Sequence, residues 1–155
     1  MELTTKGRYA VMAMADIAQA SIARGDDGAV PLSAIAERQH ISLAYLEQLF
    51  AKLRRAGLVD SARGRLGGYV LGRPADAITI AAIMAAVEED VRMTRCQGEA
   101  GSPCLPGERC ITHGLWDALG EHIDGFLRSV TLQNVVDGIG RGSDAAVLRA
   151  RALTP

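Results

Sequence analysis

Apolar residues recur at helical spacing along most of the chain, and this periodicity predicts six helices. Ser42 and Thr79 stand where the third and fourth helices begin, and both residue types cap helix N-termini well. Gly57 follows the third helix, where glycine favours a C-terminal cap. The third helix has the apolar stripe Leu43, Leu46, Leu49, Phe50 and Leu53. The predicted helices cover approximately residues 5–23, 33–39, 43–56, 80–90, 115–130 and 132–136.

Two short apolar runs between the third and fourth helices, residues 58–62 and 69–71, predict a β-hairpin. The tip between them is rich in glycine and carries two arginines. A short helix, a three-residue turn and an amphipathic helix, followed at once by such a hairpin, indicate a winged helix-turn-helix domain. The predicted fold class is therefore mainly α with a small β wing.

The same pattern divides the chain into four parts. Residues 1–90 are predicted to form the winged helix-turn-helix DNA-binding domain. Residues 91–113 hold all three cysteines of the chain and are predicted to form a cluster-binding loop, called here the cysteine loop. Residues 114–137 are predicted to form a dimerisation helix and the short helix after it. The glycine-rich residues 138–155 are expected to be a flexible tail.

The residues expected to face DNA lie at the start of the first helix, on the outer face of the third helix and at the hairpin tip. Because the helix dipole disfavours cations at a helix start, Lys6 and Arg8 are expected to meet phosphates, although a solvated helix end explains them equally well. Arginines at a hairpin tip suit the negative potential of a minor groove. Glu47 can accept a hydrogen bond from a cytosine amino group. The predicted set is Lys6, Arg8, Ser42, Tyr45, Glu47, Gln48, Arg54, Arg55, Arg63 and Arg65.

Bulk composition narrows the class of protein. The 155 residues, 48% hydrophobic and 23% charged, suit one domain with a sizeable core. The net charge is −1, but residues 1–73 carry +3 and residues 74–155 carry −4, which fits a DNA-binding half joined to a sensing or assembly half. The chain has no apolar run of the roughly 20 residues that span a membrane, and it does not start like a secretory signal. We therefore expect a cytoplasmic protein without membrane partners, whose thiols stay reduced.

All three cysteines lie in the cysteine loop, with the spacing Cys96-x7-Cys104-x5-Cys110-x2-His113. Glycines and prolines between them favour a loop that approaches a bulky ligand closely. Three thiols and an imidazole are soft ligands for a metal, and a two-iron cluster takes four protein ligands. The spacing favours an iron–sulfur cluster on these four residues. Structural zinc is the first alternative, but zinc sites usually have a tight knuckle at both ends, and here only the last pair is close. Free thiols come third.

A narrow apolar seam runs along the fifth predicted helix. Its residues are spaced 3, 4, 3 and 4 apart, as in a coiled coil, and unpaired they would expose large aromatic rings. The seam predicts a homodimer through Trp116, Leu119, Ile123, Phe126 and Val130.

Several segments resemble the Rrf2 family of bacterial transcription regulators. The opening Leu3-Thr4-Thr5-Lys6-Gly7-Arg8-Tyr9-Ala10, residues 41–50 and the sequence around Cys96 and Cys110 through Trp116 carry the resemblance, which covers roughly residues 1–136. The resemblance implies a dimeric winged-helix protein that holds a 2Fe–2S cluster on three cysteines and a histidine. It also implies binding to a two-fold symmetric operator in double-stranded DNA and control of iron–sulfur assembly genes, with cluster occupancy as the signal. The resemblance further implies that Glu47 reads bases.

Two departures from that pattern keep other readings open. The first cysteine gap is seven residues, where similar cluster-carrying regulators usually have five, and the wing tip lacks their Gly-Pro-Gly-Gly-Gly. Nitric-oxide-sensing and iron-responsive relatives hold clusters of other nuclearity on three similar cysteines. A thiol-redox enzyme is the alternative from another class, but the chain lacks a Cys-x2-Cys pair and a convincing acid–base set.

Overall fold

A computed structural model describes residues 4–24, 28–62, 67–89 and 110–139 of the chain. Within them, the chain forms six α-helices and a two-stranded antiparallel sheet, and one turn of 3-10 helix spans Ala75–Ala77. The predicted fold class is confirmed. The elements are α1 Thr5–Arg24, α2 Leu32–Gln39, α3 Leu43–Arg55, β1 Val59–Ala62, β2 Gly68–Leu71, α4 Ile80–Ala86, α5 His113–Ser129 and α6 Leu132–Asp137.

The caps that the sequence predicts at three helix ends are present. The Ser42 hydroxyl accepts a hydrogen bond from the Tyr45 N–H at 3.2 Å, and the Thr79 hydroxyl accepts one from the Ala82 N–H at 3.1 Å. Gly57 has φ +68°, a left-handed conformation that glycine adopts without steric cost. These local signals explain why both ends of α3 and the start of α4 follow the sequence pattern closely, whereas α4 ends at Ala86, four residues before the predicted end.

The core lies where α1, α3 and α4 meet, and each helix contributes the face that its periodicity predicts. Ala10, Ala13, Met14 and Ile17 of α1 are at most 1% exposed, and the small alanines let neighbouring helices approach closely. Phe50, at 0% exposure, is the largest fully buried side chain. Leu43 is the exception to the predicted stripe of α3: it is 42% exposed, because at the first position of the helix it lies beyond the edge of the core.

The wing is fastened to the segment that precedes α2. The two strands pair from Val59 with Leu71 to Ala62 with Gly68. Outside this hairpin, the Val30 N–H donates to the Tyr69 carbonyl at 2.9 Å, and the Tyr69 N–H donates to the Val30 carbonyl at 2.9 Å. The Tyr69 ring also packs against Phe50, with centroids 4.8 Å apart. The wing is therefore held to both the start of α2 and the inner face of α3.

The chain leaves the core along α5 and returns to it at α6. The Ile80 N–H donates to the Val130 carbonyl at 2.9 Å, and the Leu132 N–H donates to the Ile78 carbonyl at 2.8 Å. Thr131 then caps α6 through a reciprocal capping box with Asn134. Val130 is only 1% exposed within a single chain, so its place in the predicted dimer seam is wrong. The helix ends at Ser129, and the extended backbone at Val130 turns its side chain into the core of its own protomer.

Candidate nucleic-acid interface and metal centre

The outer face of α3 is polar and open to solvent, while its inner face is anchored in the core. Leu46, Leu49, Phe50 and Leu53 are buried on the inner face. Because one helix face is held by packing, the opposite side chains are presented at fixed positions. The exposed residues of α3 that the sequence assigns to DNA are Glu47, Gln48, Arg54 and Arg55, and the exposed cap Ser42 precedes them.

Tyr45 lies at the edge of this face and is half-buried rather than fully presented. Its ring contacts Tyr9 of α1 edge-on, with centroids 6.1 Å apart and planes at 83°. Such a T-shaped pair stabilises by about 0.5–1.5 kcal/mol beyond area burial. The contact ties the N-terminal end of α3 to α1, while part of the ring stays accessible.

Cations are concentrated in the last turn of α3. Lys52, Arg54 and Arg55 lie there, and the helix dipole favours positive charge at that end. Arg54 and Arg55 are exposed, whereas Lys52 Nζ donates to a carboxylate oxygen of Glu88 at 2.7 Å. The surface therefore combines one carboxylate, Glu47, with two open guanidinium groups, as expected of a helix that contacts both base edges and phosphates.

The two cations at the start of α1 have different surroundings. Arg8 is exposed. Lys6 is half-buried, and its Nζ donates to the Glu88 carbonyl at 2.6 Å. Lys6 is thus turned toward the residues that precede the cysteine loop, a contact that the sequence does not indicate. The remaining predicted DNA contacts, Arg63 and Arg65, lie outside the described residues, although both strands that lead to them are described.

Two of the four predicted metal ligands lie in the described part of the chain. Cys110 and His113 are both half-buried, and the His113 N–H donates to the Cys110 carbonyl at 3.0 Å. This bond closes a turn that brings the two residues together at the start of α5. Cys96 and Cys104 lie outside the described residues. The described ranges alone contain no group of three or more metal-binding side chains.

The Thr112 hydroxyl lies between a predicted ligand and the predicted dimer seam. Thr112 occupies the N-cap position of α5, but its side chain does not cap the helix. Its oxygen lies 3.5 Å from Cys110 Sγ and accepts a hydrogen bond from Trp116 Nε1 at 3.2 Å. Because an indole N–H can only donate, the threonine proton remains available to the sulfur.

Helix α5 leaves part of its apolar surface exposed in a single chain. None of its residues, all of which lie in the described part of the chain, is fully buried. Trp116 is 37% exposed, Phe126 39% and Leu115 61%, while Leu119 and Ile123 are half-buried. A 17-residue helix with this much apolar surface is typical of an element that packs against a partner.

A buried carboxylate that the sequence pattern did not single out joins α1 to α2. Asp16 is 8% exposed and accepts hydrogen bonds from Arg38 at 2.5 and 3.1 Å and from Gln39 at 2.8 Å. Burial alone would raise the pKa of Asp16, but these hydrogen bonds and the charge of Arg38 outweigh it and hold the pKa below its ordinary value. In the sequence, an acidic residue beside the apolar stripe of a helix indicates a buried carboxylate that needs a charged or hydrogen-bonding partner.

An anchored helix with a polar outer face, followed by a hairpin docked beside it, defines a winged-helix DNA-binding protein. The family model described as "Iron-dependent Transcriptional regulator" matches residues 3–138, and the chain belongs to this family, Rrf2. No helix of the described residues has the length and apolar character needed to cross a membrane.

Curated relatives and solved structures agree with this family. The chain is 55% identical over 137 residues to the HTH-type transcriptional regulator IscR of Yersinia enterocolitica, covering 88% of this chain and 80% of the relative. It is also 55% identical to IscR of Erwinia tasmaniensis, covering 88% and 79%. The structure of CymR, the global cysteine regulator of B. subtilis, superposes with TM-score 0.73 at 34% identity, covering 88% and 97%. That of T. potens IscR superposes with TM-score 0.69 at 33% identity, covering 94% and 96%. The protein is therefore a transcriptional regulator of the IscR type and not an enzyme.

Proposed function

We propose that this regulator is a cytoplasmic homodimer whose DNA binding is controlled by a 2Fe–2S cluster on Cys96, Cys104, Cys110 and His113. Cluster occupancy is the signal, and genes for iron–sulfur cluster assembly are the targets. The observation that carries the proposal is the turn before α5, in which the His113 backbone N–H donates to the Cys110 carbonyl and so brings a cysteine and a histidine close in the chain. The likeness to IscR regulators over 88% of the chain supports the same assignment.

The donor set fits an iron–sulfur cluster. Three thiolates and one imidazole supply the four ligands that a two-iron cluster needs, and such a cluster would give the protein a redox-active, oxygen-sensitive centre. The protein's own residues would hold it: Cys110 lies in the turn just before α5, His113 is the first residue of that helix, and the Thr112 hydroxyl lies beside the Cys110 sulfur.

The DNA-binding surface follows from the two open faces of the winged-helix domain. We propose that α3 enters the major groove with Glu47 and Gln48 at base edges and with Arg54 and Arg55 at phosphates. We propose that Ser42, Tyr45 and Arg8 add contacts beside this helix, and that Arg63 and Arg65, between the two strands of the wing, add further contacts to DNA. Two protomers related by a dyad place two such helices in successive major grooves, which matches a two-fold symmetric operator.

The dimer interface is proposed to be the exposed apolar seam of α5. Trp116, Leu119, Ile123 and Phe126 remain partly accessible in a single chain. Fully burying a wholly exposed apolar side chain stabilises by about 1.5–3 kcal/mol, and each of these partly covered side chains contributes a fraction of that on dimerisation. The seam begins three residues after His113, so the same helix is proposed to carry both the metal ligand and the dimer contact.

Anaerobically purified protein tests the cluster. We expect a brown protein with equal amounts of iron and sulfide, and loss of visible absorbance with retained helical circular dichroism in Cys96→Ala, Cys104→Ala and Cys110→Ala. His113→Ala should lose its cluster faster than wild type during anaerobic chelation. His122→Ala, the same change at an exposed position of the same helix, is the matched control and should behave as wild type. A colourless protein with bound zinc would contradict the proposal that these residues hold an iron–sulfur cluster.

Sedimentation tests the dimer. Ile123→Asp should give monomers with weak operator binding, because a carboxylate cannot be buried in an apolar seam without a partner. Ala118→Asp places the same charge at an exposed position of α5 away from the seam and should remain dimeric. If the Ile123→Asp protein were still dimeric, the dimer interface would not be the apolar seam of α5.

A further inference from the structure

The last two described residues before the cysteine loop, Glu88 and Glu89, are joined to α1 and α3 by side-chain and backbone hydrogen bonds. Glu89 is 7% exposed and lies at the N-terminus of α1, 85 positions away from its partner Thr4. Its carboxylate accepts hydrogen bonds from the Thr4 N–H, at 3.1 Å, and from the Thr4 hydroxyl. A residue distant in sequence therefore supplies the cap of α1, which carries Lys6 and Arg8 in its first turn.

The contact between Glu89 and α1 is close enough to require a glycine. A Cβ atom placed on Gly7 would lie 2.8 Å from Glu89 Cγ, so any larger residue would push the carboxylate away. Burial raises the pKa of Glu89, but hydrogen bonds from Thr4 and from the Gly7 N–H, together with the charge of Lys6, outweigh it and lower the pKa. Glu89 is thus held as a carboxylate at neutral pH.

Glu88 makes the second connection, to α3, the helix proposed to enter the major groove. Its carboxylate accepts a hydrogen bond from Lys52 Nζ at 2.7 Å, and its carbonyl accepts one from Lys6 Nζ at 2.6 Å. Its φ is +58°, in the left-handed region that costs a non-glycine residue free energy. The contacts on both sides hold this conformation in place, and they join α1 and α3 at one point.

We propose that Glu88 and Glu89 are positioning residues that couple the metal state of the cysteine loop to the DNA-binding surface, by holding the start of α1 and the last turn of α3. This inference rests on the proposed function. Only Asp90 separates Glu89 from the cysteine loop, so we expect a change in the loop on metal binding to reach these two residues first. Glu89 is the principal link because it is buried, whereas the Glu88–Lys52 pair is largely exposed and weak by itself.

The test compares the operator affinity of metal-loaded and metal-free protein, measured by fluorescence anisotropy on DNA obtained by selection with the wild type. Allosteric coupling usually gives a ratio of about 5- to 150-fold between two such forms. In Glu89→Gln and Gly7→Ala the ratio should fall to within about twofold of one. Glu121→Gln removes the same charge from an exposed position of α5 and should keep the wild-type ratio. Glu88→Gln should lower the ratio less, and Lys52→Glu combined with Glu88→Lys should restore it.

If Glu88 and Glu89 had a purely structural role, their substitution would lower the operator affinity of the metal-loaded and the metal-free protein equally. The ratio of the two affinities would then be unchanged, and that result would overturn the proposal. A ratio of one in the wild type would also overturn it. The visible spectrum of the same samples reports separately on the proposed function. If the wild type were colourless but bound zinc, the proposal of an iron–sulfur cluster would be wrong. The ratio of operator affinities between zinc-loaded and zinc-free protein would still test the coupling.

Discussion

Replacing Gly68 by alanine should separate the wing from the rest of the DNA-binding domain. A Cβ atom at this position would lie 2.4 Å from the Val30 carbonyl oxygen and 2.5 Å from the Val30 carbonyl carbon. Both contacts are with backbone, which cannot rotate away as a flexible side chain can. The strand must therefore move away from Val30, and this movement breaks the two 2.9 Å hydrogen bonds between Val30 and Tyr69.

The two broken bonds set the size of the effect. A hydrogen bond of this kind contributes about 0.5–1.5 kcal/mol net, so Gly68→Ala should lower the free energy of unfolding by about 1–3 kcal/mol. For a chain of this size, 1 kcal/mol corresponds to about 2–4 °C in melting temperature, so Tm should fall by roughly 2–12 °C. Because the wing carries Arg63 and Arg65, its displacement should also lower the slope of log affinity against log salt by up to about two.

Thermal unfolding of metal-free protein, followed by circular dichroism at one fixed concentration, measures the stability change. Gly125→Ala is the matched control. Among the described residues, no atom beyond its chain neighbours and the backbone of its own helix lies within 4 Å of its added Cβ. Alanine inside a helix is more stable than glycine by about 1 kcal/mol, so Tm should stay constant or rise. A Gly68→Ala protein that melted within about 1 °C of wild type would refute the backbone clash as the reason for glycine here.

Three further changes test other contacts. The pKa of Asp16 is lowered in the folded protein, so its contribution to stability is complete above the ordinary value of about 3.9 and is lost as the pH falls through the folded value. The difference in unfolding free energy between wild type and Asp16→Asn should therefore stay constant above about pH 5 and shrink in more acid solution. Glu47→Ala should relax base preference without weakening binding, which selection from random DNA would reveal as a changed consensus. Thr112→Val removes the hydroxyl beside Cys110 Sγ, so cluster loss under anaerobic chelation should be faster than in Thr112→Ser; equal rates would contradict this role.

The winged-helix fold could be predicted because its signals are local. The buried faces of α1, α3 and α4 follow from apolar spacing, and the caps at Ser42 and Thr79 depend only on residues within one turn. The same holds for the outer face of α3, which is exposed because its opposite face is apolar. The four proposed metal ligands also follow from residue type and spacing alone, although only Cys110 and His113 lie among the described residues.

Other features depend on which distant segments meet. Spacing alone extends the seam of α5 to Val130, but the chain turns there and packs into the core against residues about 50 positions earlier. Glu89 has no local signal for capping α1, because its partner lies 85 positions away, and the need for glycine at Gly68 appears only where the Val30 backbone approaches it. Periodicity and caps reflect interactions between neighbours in the chain, so the sequence alone determined the helices. Contacts between distant residues arise only when those helices pack, so the tertiary structure decided how the entrance of the cysteine loop is joined to the DNA-binding surface.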